Sequence, residues 1–386
     1  GIAKFVCNTH VAMMMSTDPA YYIEKILPYD MAFRAPGRIN LIGEHTDYNG
    51  GLCLPAAILP SIYLGISPSD ETRMEALNTG NVAGLSGDYD WLRYIRGVIR
   101  HLTERSGSIP PFRLAFGGDL PIGAGLSSSS ALCCATLSAL NALFDLQIAK
   151  DELTRLSVIA EQDSGVIGGM MDQISIFNGR KDRALMIHCD TWNFEYIPTL
   201  LPDYRWLVID TGVQHRLIDS DYNNRSFACQ EIAGILKRNQ VIHEFISELT
   251  HDDLPLIRNL LSDEQSILVR YVIEENERVL DFSKALKSGF VAECGKLLFA
   301  SHQGLRDEYR VSCPELDCLV EFAHKDARCA GARMMGGGFG GSTLHLVPDE
   351  DSAGYLRDIQ EYYRLHTGRM ARSFEASIGE GLTRIK

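Results

Sequence analysis

GGDLPIGAGLSSSSALCCATLSALNALFDL, residues Gly117 to Leu146, decides how this chain is read. The stretch opens on glycines, passes four consecutive serines at Ser127 to Ser130, and runs on as an apolar segment with small residues on most faces. A helix that is apolar all round belongs in a buried core. The segment therefore predicts a Gly-rich turn feeding the N-terminus of a central helix. Free N–H groups and the positive dipole end of such a helix attract anions, and small residues let a phosphate approach the backbone. The serine hydroxyls add candidate metal ligands. A glycine turn with one serine as N-cap is the simpler reading, but four serines exceed what one cap requires. No GxxxxGK[ST] occurs, so this is not a Walker loop, and no HRD or DFG supports a protein kinase.

Working outward, MAFRAP (31–36), LCLPAAI (52–58), SIYLGIS (61–67) and FRLAFGG (112–118) read as strands upstream, and DWLRYIRGVIRHL (90–102) has helical spacing. Downstream, DELTRLSVIAEQD (151–163) reads as a helix with Asp151 as N-cap, and RALMIHCD and WLVIDTG read as strands joined by a polar connection, WNFEYIPTLLPDY. From about 221 to 325 long helical segments dominate, and the end returns to ARMMGGGF, STLHLV and ARSFEA around one helix, SAGYLRDIQEYYRLH. This order predicts an α+β protein of two lobes, divided into residues 18–200 and 201–386.

Three further groups of residues carry chemistry. GRINLIGEHTDYNGG (37–51) packs Arg38, Glu44, His45, Asp47 and Asn49 between two apparent strands. Charged acceptors make hydrogen bonds about twice as strong as neutral ones, so the set suits the hydroxyls of a small polyol; a solvated acidic turn is the alternative. GARMMGGGFGGSTLHL (331–346) places glycines between strand-like flanks, for close backbone approach to a ligand or for a flexible hairpin. Glu161 and Asp172 lie 11 residues apart with Gly165, Gly168 and Gly169 between them. A helix end and a turn can bring both to one site as magnesium ligand and base, against the alternative of a surface acid pair.

The composition excludes several classes. Fifty acidic against 37 basic side chains give a net charge of −13, and no Lys/Arg run exceeds two residues, so no nucleic-acid footprint is expected. No apolar stretch approaches a membrane span, and the opening GIAKFVCNTHVAMMMST lacks the long apolar core of a secretory signal. Ten scattered cysteines without a CxxC pair suit a reduced, cytoplasmic compartment without structural zinc. A Rossmann nucleotide fold is disfavoured, because no GxGxxG follows a strand with an acid about 20 residues on.

Taken in order, these motifs resemble the GHMP small-molecule kinases, and the first is similar to the galactokinase signature. The matching residues are GRINLIGEHTDYNG from Gly37 to Gly50, PIGAGLSSS from Pro121 to Ser129 and GGGFGG from Gly336 to Gly341. DWLRYIRGV, DTGVQHRLIDSDYNNR (210–225) and SHQGLRDEYRVSCPELD (301–317) add to the likeness, which spans about residues 31 to 347. The resemblance implies a two-lobed GHMP kinase fold, with an N-terminal mixed β/α lobe, a C-terminal helix-rich lobe and the active site in the cleft between them. It implies ATP-dependent phosphorylation of the anomeric hydroxyl of galactose, with Mg²⁺ as cofactor and galactose and ATP as partners, in a monomer or weak homo-oligomer. By position it makes Asp172 the catalytic acid and Arg38 its basic neighbour. Ser129 and Glu161 match the metal ligands, while Glu44, His45, Asp47, Gly169 and Tyr222 fall where sugar contacts lie. Gly123, Gly125, Leu126, Ser127, Ser128 and Ser129 fall on the ATP loop, and Trp91 near the nucleotide. Departures from the family pattern are Gly168 for Cys, Ser130 for Ala, Met335 for Thr and Ser342 for Cys. Two other readings fit the same likeness: a sugar- and ATP-binding sensor without turnover, or a kinase for L-arabinose or N-acetylgalactosamine. The full-length Ser-rich stretch favours the enzyme over the sensor.

Overall fold

The computed structural model describes residues 18–165, 169–199, 201–213 and 218–386. In chain order the first elements are α1 (Pro19–Ile26), β1 (Met31–Asn40), β2 (Leu52–Cys53), β3 (Pro55–Pro68), β4 (Arg73–Ala76), β5 (Asn81–Ala83) and α2 (Leu92–Ser106). They continue with β6 (Phe112–Gly118), α3 (Ser128–Leu143), α4 (Lys150–Gln162), α5 (Met171–Asn178), β7 (Arg183–His188), β8 (Asn193–Pro198) and β9 (Tyr204–Asp210). The second half contains α6 (Ile218–Arg238), α7 (Leu254–Ile257), α8 (Asp263–Lys287), α9 (Val291–Gln303), α10 (Pro314–Lys325), β10 (Gly331–Met335), β11 (Ser342–Pro348), α11 (Ser352–Thr367), β12 (Arg372–Glu375) and β13 (Thr383–Arg384).

The strands form three sheets, ordered β13-β1-β3-β6-β4-β5, β2-β7-β8 and β10-β11-β9-β12. The largest sheet carries α3 on its inner face. Every α3 residue from Ser130 to Leu140 is buried, as its all-round apolar pattern requires. Because α3 packs on β1 and β3 and is flanked by α2, α4 and α5, its N-terminus is held at a fixed place in the fold. The C-terminal strand β13 pairs with β1, so the chain's end closes the first sheet (Phe33 opposite Arg384). In the second half β11 and β12 both lie antiparallel to β9, joined by α11. A separate core, including Ile232, Leu268, Val272 and Leu305, binds the helical region together. The main core runs through both halves, since Val279, Phe282 and Leu298 of α8 and α9 share it with Ile42 and Leu54.

Three local readings change. LCLPAAI and SIYLGIS are not two whole strands: only Leu52–Cys53 is separate, and β3 runs through Pro60. A register shift between Pro36 and Arg38 of β1 absorbs the irregularity there. Ser61 N–H donates to Asp119 rather than to a strand carbonyl (2.9 Å). Asp151 is not an N-cap, because α4 starts at Lys150 with Ala149 in that place; its carboxylate instead sits in the first turn, where the dipole favours it. The segment after Trp192 is not a plain connection, since Asn193–Pro198 forms β8 as the free edge of its sheet. Finally, α1, α5 and the short β4, β5 and β13 lack the length or periodicity that would mark them in sequence.

Candidate active site

The loop Gly117–Ser127 carries left-handed backbone at Gly123 (φ 80°) and Gly125 (φ 72°), which only glycine adopts without strain. Ser127, the residue before α3, is also left-handed (φ 61°), an uncommon state for a side-chain-bearing residue and one concentrated at functional sites. This turn reverses the chain so that Ser127, Ser129 and Ser130 face α4 and α5. Leu126 is buried and its carbonyl accepts from Arg38 N–H (3.2 Å), tying the loop to β1. Ser128 opens the helix beside them.

Glu161 lies in the last turn of α4 and Asp172 in the first turn of α5, and both acids meet the serines there. Asp172 accepts from Arg38 Nε (2.7 Å), from the Ser127 hydroxyl (2.5 Å) and, more weakly, from Ser130 (3.3 Å). Arg38 is 6% exposed and its Nη1 also donates to the Gly125 carbonyl (2.7 Å), which fixes its plane beside the loop. Glu161 accepts from Ser129 (2.5 Å), Ser130 (2.7 Å) and Gln173 Nε2 (2.6 Å). Burial, and then the neighbouring Asp172 charge, push the Glu161 carboxyl above the usual carboxylate range.

The polar loop after β1 forms the opposite wall. Glu44 is buried, and its Oε1 accepts from Arg333 (3.1 Å) and from Gly336 N–H (2.8 Å). Asp47 accepts from Gly169 N–H (3.1 Å). A Cβ on residue 169 would collide with the Asp47 carboxylate, so the close approach requires glycine. Burial, and secondarily Asp172, raise the Asp47 carboxyl to about 6. His45 is left-handed (φ 60°) and buried, which drives its imidazole down to about 3 and keeps it neutral. Its Nε2 faces the Gly337 carbonyl (3.2 Å), so that nitrogen carries the proton and Nδ1 accepts from the Tyr48 hydroxyl (2.8 Å). Tyr222 of α6 packs its ring against His45 (5.4 Å) and Tyr48 (5.8 Å).

These groups surround one cavity of about 200 Å³, lined by Arg38, Glu44, His45, Asp47, Glu161, Gly169, Asp172 and Tyr222, with Gly336 and Gly337 from the Gly-rich turn. Both halves of the chain contribute to it. Gly336 lies against Gly125, and Ser342 donates to the Ala124 carbonyl (2.8 Å), so the Gly-rich turn after β10 holds the serine loop rather than forming a free hairpin. Trp91 stands at the start of α2, stacked on Tyr89 (5.8 Å) and edge-on to Phe116 of β6 (5.2 Å). It is not among the residues lining the cavity, and its buried indole N–H has no hydrogen-bond partner among the described residues. Gly168 lies outside the described residues.

Several contributors were not anticipated as such. Ser130 stands where the resemblance expects alanine, yet it bridges both carboxylates. Gln173 and Arg333 also escaped notice. Arg333 had a legible signal, a lone cation in the apolar strand GARMM, because a fully buried arginine needs partners. It donates to the carbonyls of Asn40 and Leu41 as well as to Glu44.

A serine-lined turn at a buried helix, two acids beside it and a Gly-rich turn closing over it are the parts of a GHMP-type small-molecule kinase. Models of the GHMP kinases N terminal domain and GHMP kinases C terminal match residues 93–180 and 282–363. The galactokinase galactose-binding signature matches residues 24–68. Within that class the chain belongs to the galactokinase family. It is 37% identical over 359 residues to the galactokinase of Thermotoga maritima, covering 92% of this chain and all of that one (100%). It is 34% identical over 368 residues to the Fusobacterium nucleatum galactokinase, covering 92% and 95%. The crystal structure of Lactococcus lactis galactokinase complexed with galactose superposes with a TM-score of 0.86 at 32% identity, over 92% of this chain and 94% of that one. Methanococcus jannaschii mevalonate kinase shares the fold at 18% identity (TM-score 0.65). Among the described residues no helix is long and apolar enough to cross a membrane.

Proposed function

We propose that this protein transfers the γ-phosphoryl group of ATP to the anomeric hydroxyl of galactose, giving galactose 1-phosphate and ADP. The observation that carries the reading is Asp172, which lines the cavity while Arg38 and Ser127 hold its two oxygens. Phosphoryl transfer needs little covalent help from the protein beyond positioning, charge neutralisation and an acceptor for the hydroxyl proton. Asp172 orients the C1 hydroxyl and accepts its proton as the new O–P bond forms and the bond to the ADP oxygen breaks. Arg38 aims that carboxylate through its Nε–H bond (2.7 Å). Glu44, His45 and Asp47, with Gly169 and Tyr222, form the sugar-reading wall. The turn from Gly123 to Ser129 cradles the phosphates with backbone N–H groups, and Trp91 belongs to a segment near the nucleotide.

The donor set suits magnesium. Ser129 and Glu161 offer adjacent hard oxygens, and the Asp172 carboxyl lies beside them, bonded to Arg38. Magnesium usually takes one or two protein ligands and completes its shell with water and substrate phosphates. Bound by Ser129 and Glu161, it would neutralise charge on the β- and γ-phosphates.

Galactose-dependent ADP release tests the reading. The wild type should release ADP only when galactose and Mg²⁺ are both present, and an Asp172→Asn variant should not. Release that is independent of added sugar would count against it.

A further inference from the structure

The loop that reads the sugar is held from behind by one helix. Gly43 N–H donates to Glu275 Oε1 (3.0 Å), the Tyr271 hydroxyl donates to the Glu44 carbonyl (3.0 Å), and Leu52 N–H donates to Asn276 Oδ1 (2.8 Å). All three partners lie within two turns of α8, with Tyr271 and Glu275 one helical repeat apart on its buried face. They grip the entry, the first recognition residue and the exit of the segment 43–52, with Glu44, His45 and Asp47 inside that span. Glu275 is itself fixed. It is fully buried, Ser301 of α9 donates to its Oε1 (2.6 Å), and Arg278 Nε donates to its Oε2 (2.6 Å). Gly43 needs its left-handed backbone (φ 90°) to turn its N–H toward this carboxylate.

Backbone restraint of this kind matters because the loop carries its own ligands on both sides. Asp47 must reach Gly169 N–H and Glu44 must reach Gly336 N–H. A displacement of about 1 Å in a positioned group can cost on the order of 10²-fold in rate, and binding groups are precise only when a second layer fixes their supports. An ordinary stabilising contact would need only one such bond. Three bonds from Tyr271, Glu275 and Asn276 of a single helix, all to the backbone of one recognition loop, define its position in space.

We propose that Tyr271, Glu275 and Asn276 are positioning residues for sugar recognition: they touch no substrate and set galactose selectivity by fixing the loop that carries Glu44, His45 and Asp47. The inference rests on the proposed galactokinase activity. Asn276 is the cleanest probe, being only half-buried. With Asn276→Ala the galactose KM should rise by up to about tenfold, the effect of one lost hydrogen bond, and the kcat/KM ratio of galactose over glucose should fall. The ATP KM should stay unchanged. Asn276→Asp, which keeps an acceptor for Leu52 N–H, should return galactose KM to within about threefold of wild type. Tyr271→Phe deletes only a hydroxyl and should give the same sugar-selective defect, so it serves if Asn276→Ala does not fold. Folded variants whose melting temperature falls while galactose KM and the galactose/glucose ratio stay at wild-type values would overturn the proposal, leaving these residues structural only. An ATP KM rising in step with the galactose KM would overturn it equally. Wild-type protein without galactose-dependent ADP release would instead remove the functional reading itself.

Discussion

Asp47 supplies a pH test with a definite sign. Its carboxyl is raised to about 6, by burial first and by the charge of Asp172 second. At pH 8 it is ionised and can accept from a sugar hydroxyl as well as from Gly169 N–H; as pH falls through 6 it takes up a proton and becomes a weaker acceptor. If the carboxylate is the sugar-binding form, apparent affinity scales with its ionised fraction. That fraction is near one at pH 8 and about one in eleven at pH 5, one unit below the pKa, so galactose KM should rise about tenfold between those values. The stability effect has the opposite sense. A carboxyl whose folded pKa lies above its ordinary value contributes stability that is fully present below about pH 4 and is lost as pH rises through about 6, on the order of 3 kcal/mol for this shift. Asp47→Asn should therefore melt higher than wild type at pH 8 while binding galactose poorly. The assay is initial rate against galactose from pH 5 to 8, with ATP and Mg²⁺ saturating, alongside melting curves at each pH. A wild-type galactose KM that is flat over this range, or an Asp47→Asn enzyme that keeps the same pH-dependent rise, would refute the reasoning.

Other consequences follow from the same contacts. Asp172→Asn should cut kcat by about 10² or more while ATP KM changes little, because the variant retains the phosphate loop and loses the proton acceptor. Glu161→Gln keeps the bond from Ser129 and removes the charge, so the Mg²⁺ concentration for half-maximal rate should rise in a metal titration. Gly169→Ala places a methyl group against the Asp47 carboxylate and should lower kcat/KM for galactose without affecting ATP KM, as read in a two-substrate kinetic matrix. Ser130→Ala removes a bridge between Glu161 and Asp172 and should cost roughly 1 kcal/mol of stability in denaturant unfolding.

Much of the site was legible because its parts are local. The turn from Gly117 to Ser130 joins an all-apolar helix, and that pattern alone marks the helix as buried, as it is from Ser130 to Leu140. Glu161 and Asp172 could be paired from spacing, since a helix end and a turn lie between them. What stayed hidden depends on long-range contacts. Arg333 reaches Glu44 across 289 residues, and Ser342 reaches the serine loop across 218. Periodicity carries no record of such pairings. The α8 grip on the loop at Gly43 and Leu52 likewise spans 232 and 224 residues. Among the strands, β3 misled because Pro60 reads as a break, whereas the bulge in β1 lets the pair continue past it. The edge strand β8 does carry the alternation of a half-exposed strand, Phe194 and Tyr196 between polar residues, but Pro198 and Pro202 give the segment around it the look of a connection.

The central claim is tested most directly by kcat/KM for galactose, glucose, L-arabinose and N-acetylgalactosamine, with the phosphorylated position read by ³¹P NMR. A site built to bond particular hydroxyls penalises analogues that misplace or lack them by on the order of 1 to 3 kcal/mol, because buried polar groups are left unpaired. Galactose should be the best of the four, giving a phosphate on C1, with L-arabinose intermediate and glucose poor. Another sugar ahead of galactose, or phosphate at a position other than C1, would contradict the account.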